Sequence, residues 1–406
     1  MQWTPEQENA LMGVSDWMKD PSRQVLKLFG YAGTGKTTLA KHFAEGVGGQ
    51  VLFGAYTGKA ASVLKAKGCE GARTIHSMIY NPKEKGLSKL KELEQSLMEL
   101  IGELREAGQN PEEHRRVKDI KELIEKERVS LSKPTFSLNE ETSVVRLAKL
   151  VIIDECSMID GKMGEDLLSF GVKILVLGDP AQLPPVKGSG FFTDGKPDIM
   201  LTEIRRQARD NPIIDLATRV RNKEEIPLGV YGNSAVLTKD QINPEDALSA
   251  DQILVGRNKT RFGSNERMRF LLGRQKGVPI AGDKLVCLRN NHDKGLLNGT
   301  LWQIEDIGEK SSDRIYMTVR PEEGGDSVEV ECHMSYFNGS AETMTWWEKK
   351  EAEEFDYGYA ITVHKAQGSQ WNNVMLIDES QVFREDRWKW LYTGITRAAE
   401  SIKIVR

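Results

Sequence analysis

Gly30-Tyr31-Ala32-Gly33-Thr34-Gly35-Lys36-Thr37 is the octapeptide whose reading decides the fold of this chain. An apolar run, Val25 to Phe29, leads into it, and a helix-compatible stretch, Thr38 to Glu45, leads out. Strand, glycine loop, helix is the context that a phosphate-binding loop requires. Glycines let backbone N–H groups turn inward around a phosphate. The following helix adds the positive end of its dipole. Lys36 is suited to reach the β- and γ-phosphates of a nucleotide, and the Thr37 hydroxyl to ligate Mg²⁺. Gly33, Thr34, Gly35 and Thr38 complete the expected nucleotide-binding set. ATP and Mg²⁺ are the ligands this pattern implies.

The 406 residues suffice for two or more cores. Charged residues make up 29% and the mean hydropathy is −0.46, values of a water-soluble chain. No apolar run approaches the ~18 residues needed to cross a bilayer, so no membrane association is expected. The N-terminal residues lack a basic-then-apolar signal pattern. Cys69, Cys156, Cys287 and Cys332 stand far apart, which disfavours disulfides and a zinc site and fits a reducing cytoplasm. The net charge of −4 argues against a wholly basic nucleic-acid binder. It leaves room for a local positive channel, because phosphate contacts need only a few well-placed cations.

The fold class read from this pattern is α/β with two parallel-sheet units. The first spans residues 1–80 and 148–200, with strands at Val25–Phe29, Val51–Tyr56, Leu150–Asp154 and Lys173–Leu177. These near-continuous apolar runs suit strands covered on both faces. Residues 81–147 interrupt this unit. There Leu90, Leu93, Leu97, Leu100 and Leu104 recur at alternating spacings of three and four, a heptad seam. Gly108-Gln109-Asn110-Pro111 breaks the seam, and Val117, Ile120 and Ile124 resume it, so an antiparallel helical hairpin is expected. The second unit covers residues 201–276 and 340–406, with strands at Gln252–Gly256, Asn373–Asp378 and Ile402–Val405. Between its halves, residues 277–339 hold β-prone runs at Lys284–Leu288, Thr300–Ile307, Arg314–Val319 and Ser327–Cys332. Asn-rich and Gly-rich turns separate them, and a small inserted β-barrel is expected. Trp346, Trp347 and Phe355 either join that barrel to the second unit or pack in a core.

Val151-Ile152-Ile153-Asp154-Glu155 ends an apolar strand in two acids. Asp154 is placed to hold Mg²⁺ opposite Thr37, and Glu155 to orient or deprotonate the attacking water. Gly178-Asp179-Pro180-Ala181-Gln182-Leu183-Pro184-Pro185 follows another apolar strand, and Gln182 there is suited to sense the γ-phosphate.

Together with Val363-His364-Lys365-Ala366-Gln367-Gly368-Ser369, these motifs resemble superfamily 1 helicases, and more narrowly the RecD-like branch and the Dda-type phage helicases. Tyr56-Thr57-Gly58-Lys59-Ala60-Ala61 and Thr74-Ile75-His76-Ser77 are similar to that branch's early DNA-contact motifs. Leu201-Thr202-Glu203-Ile204-Arg205-Arg206-Gln207 and Leu391-Tyr392-Thr393-Gly394-Ile395-Thr396-Arg397-Ala398 are similar to its late arginine motifs. The matches run in order along nearly the whole chain.

The resemblance implies two RecA-like motor domains. Arg206 and Arg397 would be arginine fingers delivered by the second domain to ATP held on the first, making hydrolysis depend on closure. Gln7 would read adenine through its amide. Gln367 and Gly368 would lie near the γ-phosphate and the interdomain cleft. Thr57, Lys59, Thr74 and His76 would contact DNA from the first domain, and Thr362 and His364 from the second. Hydroxyls, amides and backbone N–H groups grip phosphates without a high net charge. Phe136, beyond the hairpin, would serve either as a wedge at the fork or as apolar packing. The hairpin, residues 83–128, is longer than a Dda-type insertion and would be a longer pin, a partner-docking arm or a DNA-contacting arm.

The implied activity is ATP-dependent translocation on single-stranded DNA, 5′ to 3′, with unwinding of forked duplex DNA, by a monomer in the cytoplasm of a bacterial or phage-infected cell. A helicase-like ATPase subunit of a recombination or replication complex, with little unwinding alone, is the alternative. A P-loop kinase or switch is a further rival, which would have no use for Arg397 on a second unit.

Overall fold

The computed structural model describes residues 3–82, 88–106, 110–111, 114–132, 136–184, 190–203, 211–291, 293–322 and 324–406. Among the described residues the first lobe has eight strands, of which six form its central sheet. Its strands are β1 (Val25–Gly30), β2 (Val51–Ala55), β3 (Arg73–Thr74), β4 (Tyr80–Pro82), β5 (Phe136–Leu138), β6 (Leu150–Asp154), β7 (Lys173–Gly178) and β8 (Ile199–Leu201). The parallel sheet runs β3-β2-β6-β7-β1-β8. Alternation along each strand divides its residues between two covered faces. Val151 and Ile153 of β6 join Ile174 and Val176 of β7 on one face. Leu150 and Ile152 join Leu175 and Leu177 on the other. Burial on both faces explains why these strands read as unbroken apolar runs.

Helix α1 (Pro5–Lys19) opens the lobe, and α2 (Lys36–Glu45) follows the glycine loop. Helices α3 (Gly58–Ala66) and α4 (Ile75–Ile79) follow β2 and β3. Strands β4 and β5 pair antiparallel at the base of the insertion. Helices α5 (Ser88–Glu106) and α6 (Arg115–Ser132) rise from that pair. Leu104, Val117 and Ile124 are buried along their seam, and Leu93, Leu97, Leu100 and Ile120 are half-buried. The heptad leucines therefore pack helix to helix. Helix α7 (Gly161–Leu168) lies in the connection from β6 to β7.

The second lobe holds β9 (Gly229–Tyr231), β10 (Ser234–Leu237), β11 (Gln252–Val255), β17 (Ala360–Thr362), β18 (Trp371–Ile377) and β19 (Ala398–Val405). Their order is β17-β11-β18-β19-β10-β9, parallel except for the edge strand β9. Strand β8, beside Leu201 where a second unit was expected to begin, pairs with β1 and belongs to the first sheet.

The inserted β-rich element comprises β12 (Lys284–Cys287), β13 (Leu301–Lys310), β14 (Arg314–Pro321), β15 (Val328–His333) and β16 (Phe355–Tyr357). It is an antiparallel five-stranded sheet, β15-β14-β13-β12-β16, that takes its last strand from beyond the expected boundary. Among the described residues, β15 meets the segment just before β16 at one bridge, Cys332 to Glu353, and the expected closure of a barrel is seen at that point alone. Phe355 is fully buried, edge-on to Trp302, which makes it core of this sheet. The side chains of Trp346 and Trp347 lie outside the described residues.

The sheet shares its core with the second lobe, since Ile253, Val255 and Met375 pack in one cluster with Leu285, Trp302 and Phe355. A buried charge cluster ties this junction. Asp283 is fully buried and accepts from Arg269 Nε and Nη2, both at 3.1 Å, from Arg274 Nη1 at 2.7 Å and from Tyr359 Oη at 2.8 Å. Asp283→Ala is expected to lower the unfolding free energy by about 3–5 kcal/mol, because Arg269 would stay buried without its counter-charge. Urea denaturation of the full chain measures this. A loss under about 1 kcal/mol would show that the cluster can be dispensed with.

Candidate functional site

Most of the candidate nucleotide-site residues gather where the C-terminal ends of β1, β6 and β7 face the second lobe, the usual place for a ligand in a parallel α/β sheet. Here lies a cavity of about 310 Å³. The phosphate loop forms its floor through Gly33, Gly35, Lys36, Thr37 and Thr38. Asp154, Glu155 and Gln182 line its first-lobe wall, and Gly368, Ser369 and Arg397 its second-lobe wall.

The loop has the shape its glycines permit. Gly33 and Gly35 sit at φ 79° and 83°, left-handed backbone that side chains rarely adopt. At Gly30 a Cβ would stand 2.7 Å from Thr34 Oγ1 and 3.0 Å from the Leu201 carbonyl, so only glycine fits. Lys36 Nζ donates to the carbonyls of Gly30 and Tyr31, at 2.6 and 3.1 Å. Thr37 Oγ1 donates to Asp154 Oδ2 at 2.9 Å. A hydroxyl and a carboxylate oxygen from two elements thus converge at the loop, a donor set that suits Mg²⁺.

Glu155 is held with φ 53°, a strained setting for a residue with a Cβ and a mark of functional positions. Asp154 Oδ1 accepts its backbone N–H at 2.9 Å. Burial pushes the Glu155 carboxyl up, and Arg397 pulls it back down. Arg397 is 5% exposed and reaches Glu155 Oε1 at 3.8 Å from the opposite lobe. Its guanidinium is held by the Thr393 carbonyl at 3.1 Å and the Ser369 carbonyl at 3.2 Å. A buried cation fixed by carbonyls is preorganised and needs little rearrangement to act.

Three nucleotide-site expectations take a different form. Gln7 is 1% exposed and does not line the cavity. Its Oε1 accepts the Thr4 N–H at 3.2 Å as the partner in a helix capping box, and its Nε2 donates to the Thr34 carbonyl at 2.8 Å. Each end of the amide thus makes one bond, and the one from Nε2 ties α1 to the phosphate loop. Thr34 is fully buried and turns its hydroxyl onto the Tyr31 carbonyl at 2.8 Å. Gln367 donates to the Leu183 carbonyl at 3.0 Å, behind the cavity wall. Arg206, with its neighbour Arg205, lies outside the described residues.

The expected DNA-facing residues fall at the ends of strands in both lobes. Thr57 caps α3 by accepting the Ala60 N–H at 3.1 Å, and Thr74 caps α4 by accepting the Ser77 N–H at 3.2 Å. Lys59 is 7% exposed, and burial lowers its pKa. The His76 ring packs on Tyr80 at 4.7 Å. Thr362 ends β17, and its hydroxyl accepts the Lys365 N–H at 3.4 Å. The His364 ring packs on Phe383 at 5.5 Å, and burial lowers its pKa. Gly368, φ 77°, brings the lobes together, since a Cβ there would stand 2.8 Å from Ala60 Cβ and 3.2 Å from Thr57 Oγ1. Phe136 begins β5, and its side chain lies outside the described residues.

Sequence reasoning missed a set of contacts across the cleft. Tyr392 bonds both the Ala32 N–H and Asp179. Thr393 accepts the Leu183 N–H at 2.9 Å. The Arg221 guanidinium lies 3.8 Å from the centre of the Tyr31 ring. Tyr392 and Thr393 stand within a quoted motif, but nothing local signals what they touch.

Residues 2–238 match the AAA domain family, and residues 357–405 match the UvrD-like helicase C-terminal domain. The chain is 29% identical over 282 residues to the ATP-dependent RecD2 DNA helicase of Deinococcus radiodurans, covering 62% of this chain and 35% of that protein. It is 27% identical over 272 residues to the ATP-dependent DNA helicase Pif1 of Bdellovibrio bacteriovorus, covering 56% of this chain and 60% of that protein. It therefore spans less than two-thirds of the length of these curated relatives. Among solved structures, a Pif1 helicase studied for unwinding of forked dsDNA superposes with TM-score 0.54 at 18% identity, over 99% of this chain and 92% of that one. The Pif1 helicase from Candida albicans superposes with TM-score 0.51 at 17% identity, over 100% of this chain and 94% of that one. These likenesses show a common fold across both lobes. With its phosphate loop, its acidic pair and an arginine reaching over from the opposite sheet, the chain belongs to the AAA domain family.

Proposed function

We propose that this chain is an ATP-driven motor that moves 5′ to 3′ along single-stranded DNA and unwinds duplex at a fork. One observation carries the reading: Arg397 of the second sheet stands 3.8 Å from Glu155 of the first, across a cavity floored by the phosphate loop. A site completed by two lobes suits a cycle in which hydrolysis and lobe movement are linked. A kinase or switch built on one lobe has no use for such an arginine.

In this reading the loop N–H groups and Lys36 hold the β- and γ-phosphates of ATP. Thr37 and Asp154 would hold Mg²⁺, which when bound would neutralise developing phosphate charge. Glu155 orients the attacking water and takes its proton. The raising effect of burial brings a carboxylate closer to the range useful to a base. Gln182 and Arg397, with Arg206 as a second finger, complete the ring around the terminal phosphate. Closure draws Thr57, Lys59, Thr74 and His76 of one lobe toward Thr362 and His364 of the other. Alternating grip by the two groups would then step the strand. Phe136 at the base of the hairpin is the wedge in this scheme. The hairpin itself is an arm for a protein partner, and the motor acts as a monomer. A structure of the same fold supports the substrate class, since a Bacteroides Pif1 helicase was solved in complex with ADP-AlF3 and ssDNA.

Strand displacement with 5′-tailed, 3′-tailed and RNA-tailed duplexes tests this. ATP-dependent displacement from the 5′ DNA tail is expected, with little from the 3′ tail. Preference for a 3′ tail would overturn the direction. ATP turnover unmoved by single-stranded DNA would overturn the motor.

A further inference from the structure

The helix Arg387–Ile395 and the two residues after it form one rigid piece that crosses to the phosphate loop. We propose that Tyr392, carried on this piece, is a positioning residue that registers the phosphate loop against the second lobe, so that Gln182 and Arg397 meet the terminal phosphate together; this rests on the ATPase reading above.

Tyr392 is 1% exposed. Its hydroxyl accepts the Ala32 N–H at 2.9 Å and donates to Asp179 Oδ2 at 2.7 Å. Burial and the Asp179 charge both raise its pKa, so the group keeps its proton and remains a donor. A phenol has one proton, and the direction of the chain is thereby fixed: Ala32 to Tyr392 to Asp179. Asp179 Oδ1 accepts the Ala181 N–H at 3.0 Å, which holds the turn leading to Gln182. One residue on, the second lobe takes both backbone groups of Leu183. Thr393 Oγ1 accepts its N–H at 2.9 Å, and Gln367 donates to its carbonyl at 3.0 Å. The loop bearing Gln182 is thus joined by covalent bonds to one lobe and by hydrogen bonds to the other.

The same rigid piece carries Arg397 into the cavity. When Tyr392 engages Ala32, the phosphate loop, the Gln182 loop and the Arg397 guanidinium share one frame. Without the hydroxyl, each keeps its own anchor but loses the common register. The ring itself packs with Trp390, Leu391 and Ile395 in the second-lobe core, and a phenylalanine preserves that packing. Removal of one oxygen therefore separates registration from folding.

The test uses the full chain with Tyr392→Phe, and with Asp179→Asn as a second variant at the other end of the same bond. Hydrogen–deuterium exchange is followed with and without AMP-PNP and Mg²⁺. In the wild type the nucleotide is expected to slow exchange in both the phosphate loop and residues 387–397. In either variant the loop is expected to stay protected while the slowing at 387–397 is lost. Equal slowing at 387–397 in both variants would overturn the assignment. In steady state, Tyr392→Phe is expected to lower DNA-stimulated kcat by about 10- to 100-fold with KM for ATP nearly unchanged. A purely structural tyrosine would instead reduce the active fraction and leave the exchange pattern intact. The double variant is expected to be no worse than the poorer single one, and multiplying losses would argue for independent roles. A wild-type chain without DNA-stimulated turnover would remove the motor reading, while the exchange measurement still decides the latch.

Discussion

Arg397→Ala is expected to lower DNA-stimulated ATP turnover by about 10³- to 10⁵-fold, the range an arginine finger contributes in known nucleotide hydrolases. Nucleotide affinity should change only a few-fold, because the phosphate loop and Thr37 belong wholly to the first lobe. The guanidinium is held by the carbonyls of Thr393 and Ser369 and faces the cavity without a full partner, since Glu155 stands at 3.8 Å. Charge fixed in this way acts most strongly on charge that develops during the reaction. Arg397→Lys should recover little, because an ammonium cannot satisfy those carbonyls and reach the phosphate at once. A pH profile adds a second, independent sign. Burial raises the Glu155 pKa and Arg397 lowers it. Removing Arg397 takes away the lowering, so the carboxyl needs a higher pH to ionise. The acid limb of the residual rate should therefore move to higher pH. Turnover close to the wild type, or an acid limb that moves down, would remove Arg397 from the reaction.

How far the sequence reveals this arrangement depends on the range of each interaction. The strands β1, β2, β6 and β7 are legible because burial on both faces writes a continuous apolar run. Strand β3, with two residues, and β17, with three, are too short for any period to register, and only pairing with β2 and β11 defines them. In β11 a glutamine, Gln252, is buried because its amide donates to the carbonyls of Gly358 and Tyr359, a contact no local pattern announces. The candidate nucleotide-site motifs are legible because each packs its chemistry into a few adjacent residues. The latch is not, because Tyr392 lies 360 positions from Ala32 and 213 from Asp179. Gln7 shows how one stretch supports two readings. Thr4-Pro5-Glu6-Gln7 also fits a capping box, S/T-x-x-E/Q, and the structure uses it so while tying the same amide to the loop.

Lys36→Ala is expected to lower ATP turnover by about 10²- to 10³-fold, the cost of deleting one preorganised donor from a charged transition state. Unlike Arg397, Lys36 belongs to the lobe that carries the phosphate loop, and its loss is expected also to raise KM for ATP. Its ammonium already bridges the Gly30 and Tyr31 carbonyls at 2.6 and 3.1 Å, so the loop is shaped to hold a cation at that point. An alanine leaves both carbonyls turned toward the phosphates with no positive charge between them, which opposes binding before the reaction begins. Affinity for single-stranded DNA should persist, because Thr57, Lys59, Thr362 and His364 sit on other elements. Turnover and fluorescence anisotropy of a labelled oligonucleotide, measured on one preparation, check both halves. The two variants then differ in kind: Lys36→Ala weakens binding and turnover together, whereas Arg397→Ala leaves a nucleotide bound that the first lobe alone cannot hydrolyse. Lys36→Ala turning over ATP near the wild-type rate would mean that the glycine loop is not where the γ-phosphate lies, and the role given to Arg397 would fall with it.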